Sequence, residues 1–218
     1  MIKLAIGVTV AWTAWLWGLG WLGETWLAPV LGSGQVAGLL LMGLGLPLGA
    51  LGLATLGRRW GLGANQWDYH WSLGAITAGL AGGVLYLGLL PLLSGLGLKG
   101  LPLALPDLPI SARPAGSLGF LVIAVNGGLA AWCDEWMWRG MVQSALTRVA
   151  TMTVGLLGTM AVFSLSQALI SGVSNQWFDW LVLGFFLGAL RVRWGTSSST
   201  VARILINTVA ATSLGTTG

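Results

Sequence analysis

Apolar runs close to the length of a bilayer recur along this chain of 218 residues, and they leave it very few folds. A helix needs about 20 apolar residues to cross a hydrocarbon core roughly 30 Å thick. Inside lipid every backbone N–H and C=O must be satisfied internally, which leaves only helices and closed barrels. The runs extend from about Ile2 to Gly23, Gln35 to Leu56, Trp71 to Gly95, Gly116 to Val149, Met152 to Ser171, Trp177 to Leu190 and Thr196 to Leu214. Only 7 % of the residues are charged and 56 % are hydrophobic, far from the balance of a soluble domain. The expected fold is all-α: a polytopic transmembrane helical bundle of about seven spans, within a range of roughly six to eight. One integral membrane domain is expected over 1–218, with N-terminal helices in 1–95, a Pro-rich interfacial connection in 96–117 and a core in 118–214.

Small residues set the expected helix contacts. Gly45-x-x-x-Gly49 and Ala75-x-x-x-Gly79-x-x-x-Gly83 have the spacing that lets two helix backbones approach closely. Pro47 lacks an N–H and predicts a kink in the second run. The fourth run spans roughly 50 Å at about 1.5 Å per residue, so it tilts, bends or projects beyond the membrane. The seventh is the least apolar, with many Ser and Thr and with Arg203 and Asn207 inside it. With the N-terminus inside, Lys3, Arg58, Arg59, Arg148, Arg191 and Arg193 fall on the cytoplasmic side, and Lys99 and Arg113 fall outside. This is the bias that sets membrane topology.

The isoelectric point near 10.0 comes from 10 basic and 6 acidic residues scattered between the runs. It concerns topology and anionic lipid, and no nucleic-acid partner is expected. With one cysteine, Cys133, no internal disulfide can form. One cysteine and one histidine, His70, cannot supply a conventional zinc site, so no metal is expected. His70 reads as a solvated loop residue. Trp21 and Trp26 suit an interfacial belt, as do Trp60, Trp67, Trp177 and Trp194, whereas Trp12 to Trp17 are expected to face a partner or lipid. No cofactor is expected, although 14 tryptophans offer surfaces for pigment, lipid or partner helices.

Against this apolar background stands Asp134-Glu135-x-x-x-Arg139-Gly140. Ionisable groups at membrane depth are costly and usually face the protein interior. Glu135 and Arg139 are four apart with the acid leading, the favourable order for a pair on one helix face. Asp134 is rotated by roughly 100° and left for another partner. Two further patterns follow: Phe163-x-x-x-Gln167 and Arg203-x-x-x-Asn207, each pair sharing one helix face.

In this order and spacing the three patterns resemble the CPBP (CAAX-protease and bacteriocin-processing, or Abi) family of polytopic intramembrane proteases, which includes the Ras-converting enzyme. The resemblance covers about residues 116 to 212. The family pattern is Glu-Glu-x-x-x-Arg, then Phe-x-x-x-His, then His-x-x-x-Asn or a similar last residue. It implies that Asp134 stands where an acid activates water, that Glu135 pairs with Arg139, and that Asn207 helps hold an oxyanion. Gln167 and Arg203 stand where the family has histidines. Glutamine cannot take up a proton as imidazole does. Arginine stays protonated and would most simply pair with Asp134. The catalytic-equivalent positions are thus Asp134, Glu135, Gln167 and Asn207, read as inactive. Glu135, Arg139 and Arg203 form a structural ion-pair cluster.

Three functions compete. One is a non-catalytic scaffold, subunit or assembly factor of a membrane complex, whose partners are the lipid bilayer and other membrane protein subunits. The next is a divergent CAAX-type endopeptidase with water held by Gln167 and Asn207. The last is a small transporter or lipid-binding protein whose charged cluster lines a polar cavity. The expected location is a prokaryotic cytoplasmic or intracytoplasmic membrane.

Overall fold

A computed structural model describes residues 1–63, 67–95, 125–171 and 177–213. These residues are helical with short connections, and no strand occurs among them. Helix α1 runs from Ile2–Leu22 through a wider π turn, Gly23–Leu27, into Ala28–Leu31. Helix α2 comprises Gly34–Leu40, a π turn Leu41–Gly45 and Leu46–Arg59. Helix α3 is Leu73–Gly95. Helix α4 runs without a break through Val125–Ala130, Ala131–Glu135, Trp136–Gln143 and Ser144–Val149, the first and third of these wound as π turns. Helices α5, α6 and α7 are Met152–Ser171, Trp177–Trp194 and Thr196–Ser213. The interfacial connection expected over 96–117 lies outside the described residues, as does the start of the fourth run.

Among the described residues four stretches are long and apolar enough to cross a membrane: Ile2–Leu31, Val36–Arg59, Leu73–Leu92 and Met152–Ile170. Their outward faces carry Ile6, Val10, Trp17, Leu48, Val84 and Leu165, all exposed, as expected where lipid replaces water. The remaining helices α4, α6 and α7 hold most of the buried polar side chains, and α5 adds Thr159, Ser164, Ser166 and Gln167. Their lower hydropathy reflects groups used inside the bundle. Thr196 to Thr200, for instance, are all buried at the start of α7. Their hydroxyls donate to the carbonyls of Trp67, His70, Gly195 and Thr196, or pair with the Tyr69 hydroxyl.

Glycine decides the closest approaches. On α3, a Cβ added at Gly79 would lie 2.5 Å from the Ser198 carbonyl oxygen and 2.7 Å from Val201 Cβ. One at Gly83 would lie 2.9 Å from Leu205. Helices α3 and α7 therefore pack backbone to backbone along the predicted small-residue face. Gly45 and Gly49 on α2 instead make room for side chains of α1, where Leu19 and Trp15 fill the space a Cβ would need. The Trp15 indole donates to the Gly45 carbonyl at 3.0 Å. Pro47 sits in the first turn after the Leu41–Gly45 π turn, within the continuous helix α2.

The connections between α2 and α3, α4 and α5, and α6 and α7 meet at one end of the bundle. Arg148 donates to Gly61 O at 3.2 Å, and Thr196 N to Asp68 O at 2.8 Å. Gly195 turns at φ +85°, with Asp68 O only 3.0 Å from the position a Cβ would take. The sequence expectation grouped the basic residues of these connections with Lys3, and Met1 also approaches Gly61.

Two tryptophans depart from expectation. Trp67 is buried, not interfacial: its ring lies edge-on to Trp136 at 5.3 Å, with Arg58 5.3 Å above it. Trp12 faces neither lipid nor partner. It belongs to the buried seam of α1 with Leu4, Ala5, Val8 and Leu16. Helical spacing alone could not say which side of an all-apolar helix turns inward. Trp60, Trp177 and Trp194 are exposed. His70 is solvated, with its side chain 76 % exposed and Nε2 3.7 Å from Asp68.

Candidate functional site

Helix α4 carries Cys133, Asp134 and Glu135 into the bundle interior, where all three are buried. One turn on, Arg139 returns to Glu135, with Nε 3.7 Å from Oε2. Neither side chain reaches the surface: Arg139 is 0 % and Glu135 1 % exposed. The second anchor of Arg139 is the Gly184 carbonyl on α6, which accepts from Nη2 at 3.2 Å. Gly184 also admits the ring of Phe163, since a Cβ there would lie 3.0 Å from Phe163 Cδ1. The glycine thus permits α4, α5 and α6 to converge on one point.

Phe163 is the hub of that point. Arg139 Cζ lies 4.9 Å and Arg203 Cζ 5.6 Å from its ring centroid. Trp138 and Trp180 meet it edge-on at 5.6 and 6.1 Å. Arg203 Cζ is also 5.8 Å from the Trp180 ring. In a desolvated setting each such cation–ring contact contributes on the order of 2 kcal/mol. The aromatic faces thereby stabilise two like-charged guanidinium groups that approach the same ring.

Asp134 is engaged on both oxygens. Oδ1 accepts the indole N–H of Trp12 at 2.9 Å. Oδ2 lies 3.9 Å from Arg203 Nη2. Among the described residues, Nε, Nη1 and Nη2 of Arg203 have no hydrogen-bond partner. This guanidinium is therefore held by charge and by ring faces. Asp134, Glu135, Arg139 and Arg203 cancel to zero formal charge, the condition under which buried ions are tolerated. Gln167, one turn beyond Phe163, and Asn207, one turn beyond Arg203, are both buried on the faces expected for them. Among the described residues no three His, Cys, Asp or Glu side chains come together as metal ligands.

Sequence spacing marks Glu135, Arg139, Phe163 and Arg203 but passes over Trp12, Trp138 and Trp180, which enclose them. Nothing in a Trp-rich chain singles out these three. It places Arg191 only by its charge, among the basic residues on one side of the membrane. Arg191 is in fact buried and donates to the Ser144 hydroxyl at 2.7 Å, with Gln143 beside it donating to Gly188 O at 3.4 Å. A separate groove of about 560 Å³ opens between α1 and α5. Val10, Trp17, Leu165 and Leu169 form its walls, and Thr13 and Ser166, 2.6 Å apart, its polar spot. None of the charged cluster lines it.

The site lies in an all-α membrane bundle: a buried acid pair, an arginine one turn on, and a facing Phe-x-x-x-Gln helix. Residues 116–209 match the family model described as type II CAAX prenyl endopeptidase Rce1-like. The matched stretch contains all three patterns, and its description agrees with the family that they resemble. No match to a curated protein or to a solved structure accompanies it.

Proposed function

We propose that this protein is a non-catalytic relative of the CPBP proteases, acting as a scaffold, subunit or assembly factor of a membrane complex. The observation that carries the reading is the Arg203 guanidinium, 3.9 Å from Asp134 and fully buried, on the helix position where the family has a histidine. A general base needs its water within about 3 Å and must be able to take the proton. A carboxylate facing a permanent cation is poorly suited to both tasks. Aspartate is also one methylene shorter than the family's glutamate, enough to displace a carboxylate by about the tolerance of a catalytic geometry. Glu135 with Arg139, the part of the pattern that ties helices together, is present in full. Asp134, Gln167 and Asn207 then serve as buried polar packing, with no water to activate.

The protein would work within the bilayer, with its N-terminus inside, in a prokaryotic cytoplasmic or intracytoplasmic membrane. Exposed Trp15, Trp17, Trp21 and Trp26 on α1 offer flat amphipathic surfaces to partner helices or lipid. Mild solubilisation of native membranes and size separation should recover the chain in a stoichiometric complex well above its own 22.7 kDa. Recovery solely as a free monomer would contradict the scaffold role.

A further inference from the structure

The motif substitutions explain one side of Asp134 only. Its other oxygen is taken by Trp12, a residue 122 positions away, in α1 and outside the family-matched stretch 116–209. Trp12 is 1 % exposed, and its bond to Oδ1, at 2.9 Å, is a full hydrogen bond to a carboxylate. Indole is a donor only and does not release its proton, so it covers the oxygen without relaying anything to it. Neighbours on both sides hold it in place. Val8 and Leu16 flank it on the buried seam of α1, and that helix packs on α2, α4 and α5.

We infer that Trp12 is a positioning residue that closes Asp134 from the side opposite Arg203, so that the first helix, and not the three motifs alone, determines whether this carboxylate can meet water or substrate. This rests on the reading of the cluster as a closed protease-type site. The consequence is specific: Asp134→Glu, Gln167→His and Arg203→His together restore the family's pattern, yet leave the indole over the acid.

The test reads accessibility and does not depend on activity. The whole chain in detergent micelles is treated with dicyclohexylcarbodiimide, a lipid-soluble reagent that reacts at carboxyl groups, and labelling at residue 134 is quantified by peptide mass spectrometry. Wild type should label weakly. Trp12→Phe, which keeps a ring but removes the N–H, should label at least several-fold faster. Trp138→Phe is the control. It changes another buried tryptophan of the same cluster, one whose indole N–H has no hydrogen-bond partner among the described residues. It should leave labelling near the wild-type rate. Equal labelling in Trp12→Phe and wild type, or an equal increase in Trp138→Phe, would overturn the inference. If Trp12→Phe fails to fold, Asp134→Asn gives a second readout. The indole N–H proton resonance of Trp12 should move upfield when its charged acceptor is lost, and an unmoved resonance overturns the inference as well. Cleavage of a prenylated peptide by wild type would instead defeat the non-catalytic reading, whatever the labelling shows.

Discussion

Arg203→Ala should lower stability by about 3–5 kcal/mol, one of the largest losses available to a single substitution in this chain. The physical reason is asymmetry. Pairing two buried charges yields little net stabilisation, because their desolvation offsets their attraction, but removing one leaves the other buried and uncompensated. Here the survivor is Asp134, which keeps the hydrogen bond from the Trp12 indole but loses its nearest cation. The rings add a second loss, since Arg203 also lies against Phe163 and Trp180. Arg203→Lys separates the two contributions. Lysine keeps the charge but not the planar group that stacks on aromatic faces, so an intermediate loss is expected. Asp134→Asn combined with Arg203→Ala should cost less than the sum of the two single changes, the mark of coupled residues. Denaturant unfolding in micelles measures wild type, the three single variants and the double variant. An Arg203→Ala variant as stable and as well expressed as wild type would mean that the pair carries no structural weight.

The second large effect belongs to glycine. Gly79→Ala places a Cβ 2.5 Å from a backbone oxygen of α7, an atom that cannot swing aside. Overpacking of this kind typically costs about 1–3 kcal/mol, and Gly79→Leu should prevent α3 and α7 from docking altogether. Gly88 lies on the same helix, exposed, with nothing within 4 Å of its would-be Cβ. Gly88→Ala should therefore be neutral or stabilising by up to about 1 kcal/mol through helix propensity alone. Thermal unfolding of the two alanine variants side by side separates packing from propensity. Equal stability for both would contradict backbone contact between α3 and α7.

Much of the scaffold is legible in the sequence, because the hydrophobic effect and backbone satisfaction leave a membrane chain few choices. The fifth run coincides with α5, Met152–Ser171, and the sixth and seventh begin where α6 and α7 begin. The Glu135–Arg139 pair and the α3 packing face are also visible, since each depends on spacing within one helix. What spacing cannot supply is rotation about the axis of a helix that is apolar all round. Trp12, Trp15 and Trp17 look alike in the sequence, yet one binds Asp134, one binds a carbonyl of α2 and one faces outward. Trp67 and Arg191 were obscure for a related reason. A loop tryptophan and a basic helix end normally mark the interface, and only packing against Trp136 and Ser144 shows them buried. The π turn at Trp136–Gln143, beside the acid pair, has no sequence signature either.

In the proposed scaffold role Asp134 does no water chemistry. The direct measurement is incubation of the purified protein, in lipid, with a prenylated CAAX-terminated peptide and mass detection of the released tripeptide. Wild type should release no more product than Asp134→Asn. Release by wild type that disappears in Asp134→Asn would contradict the account and make the protein a working endopeptidase.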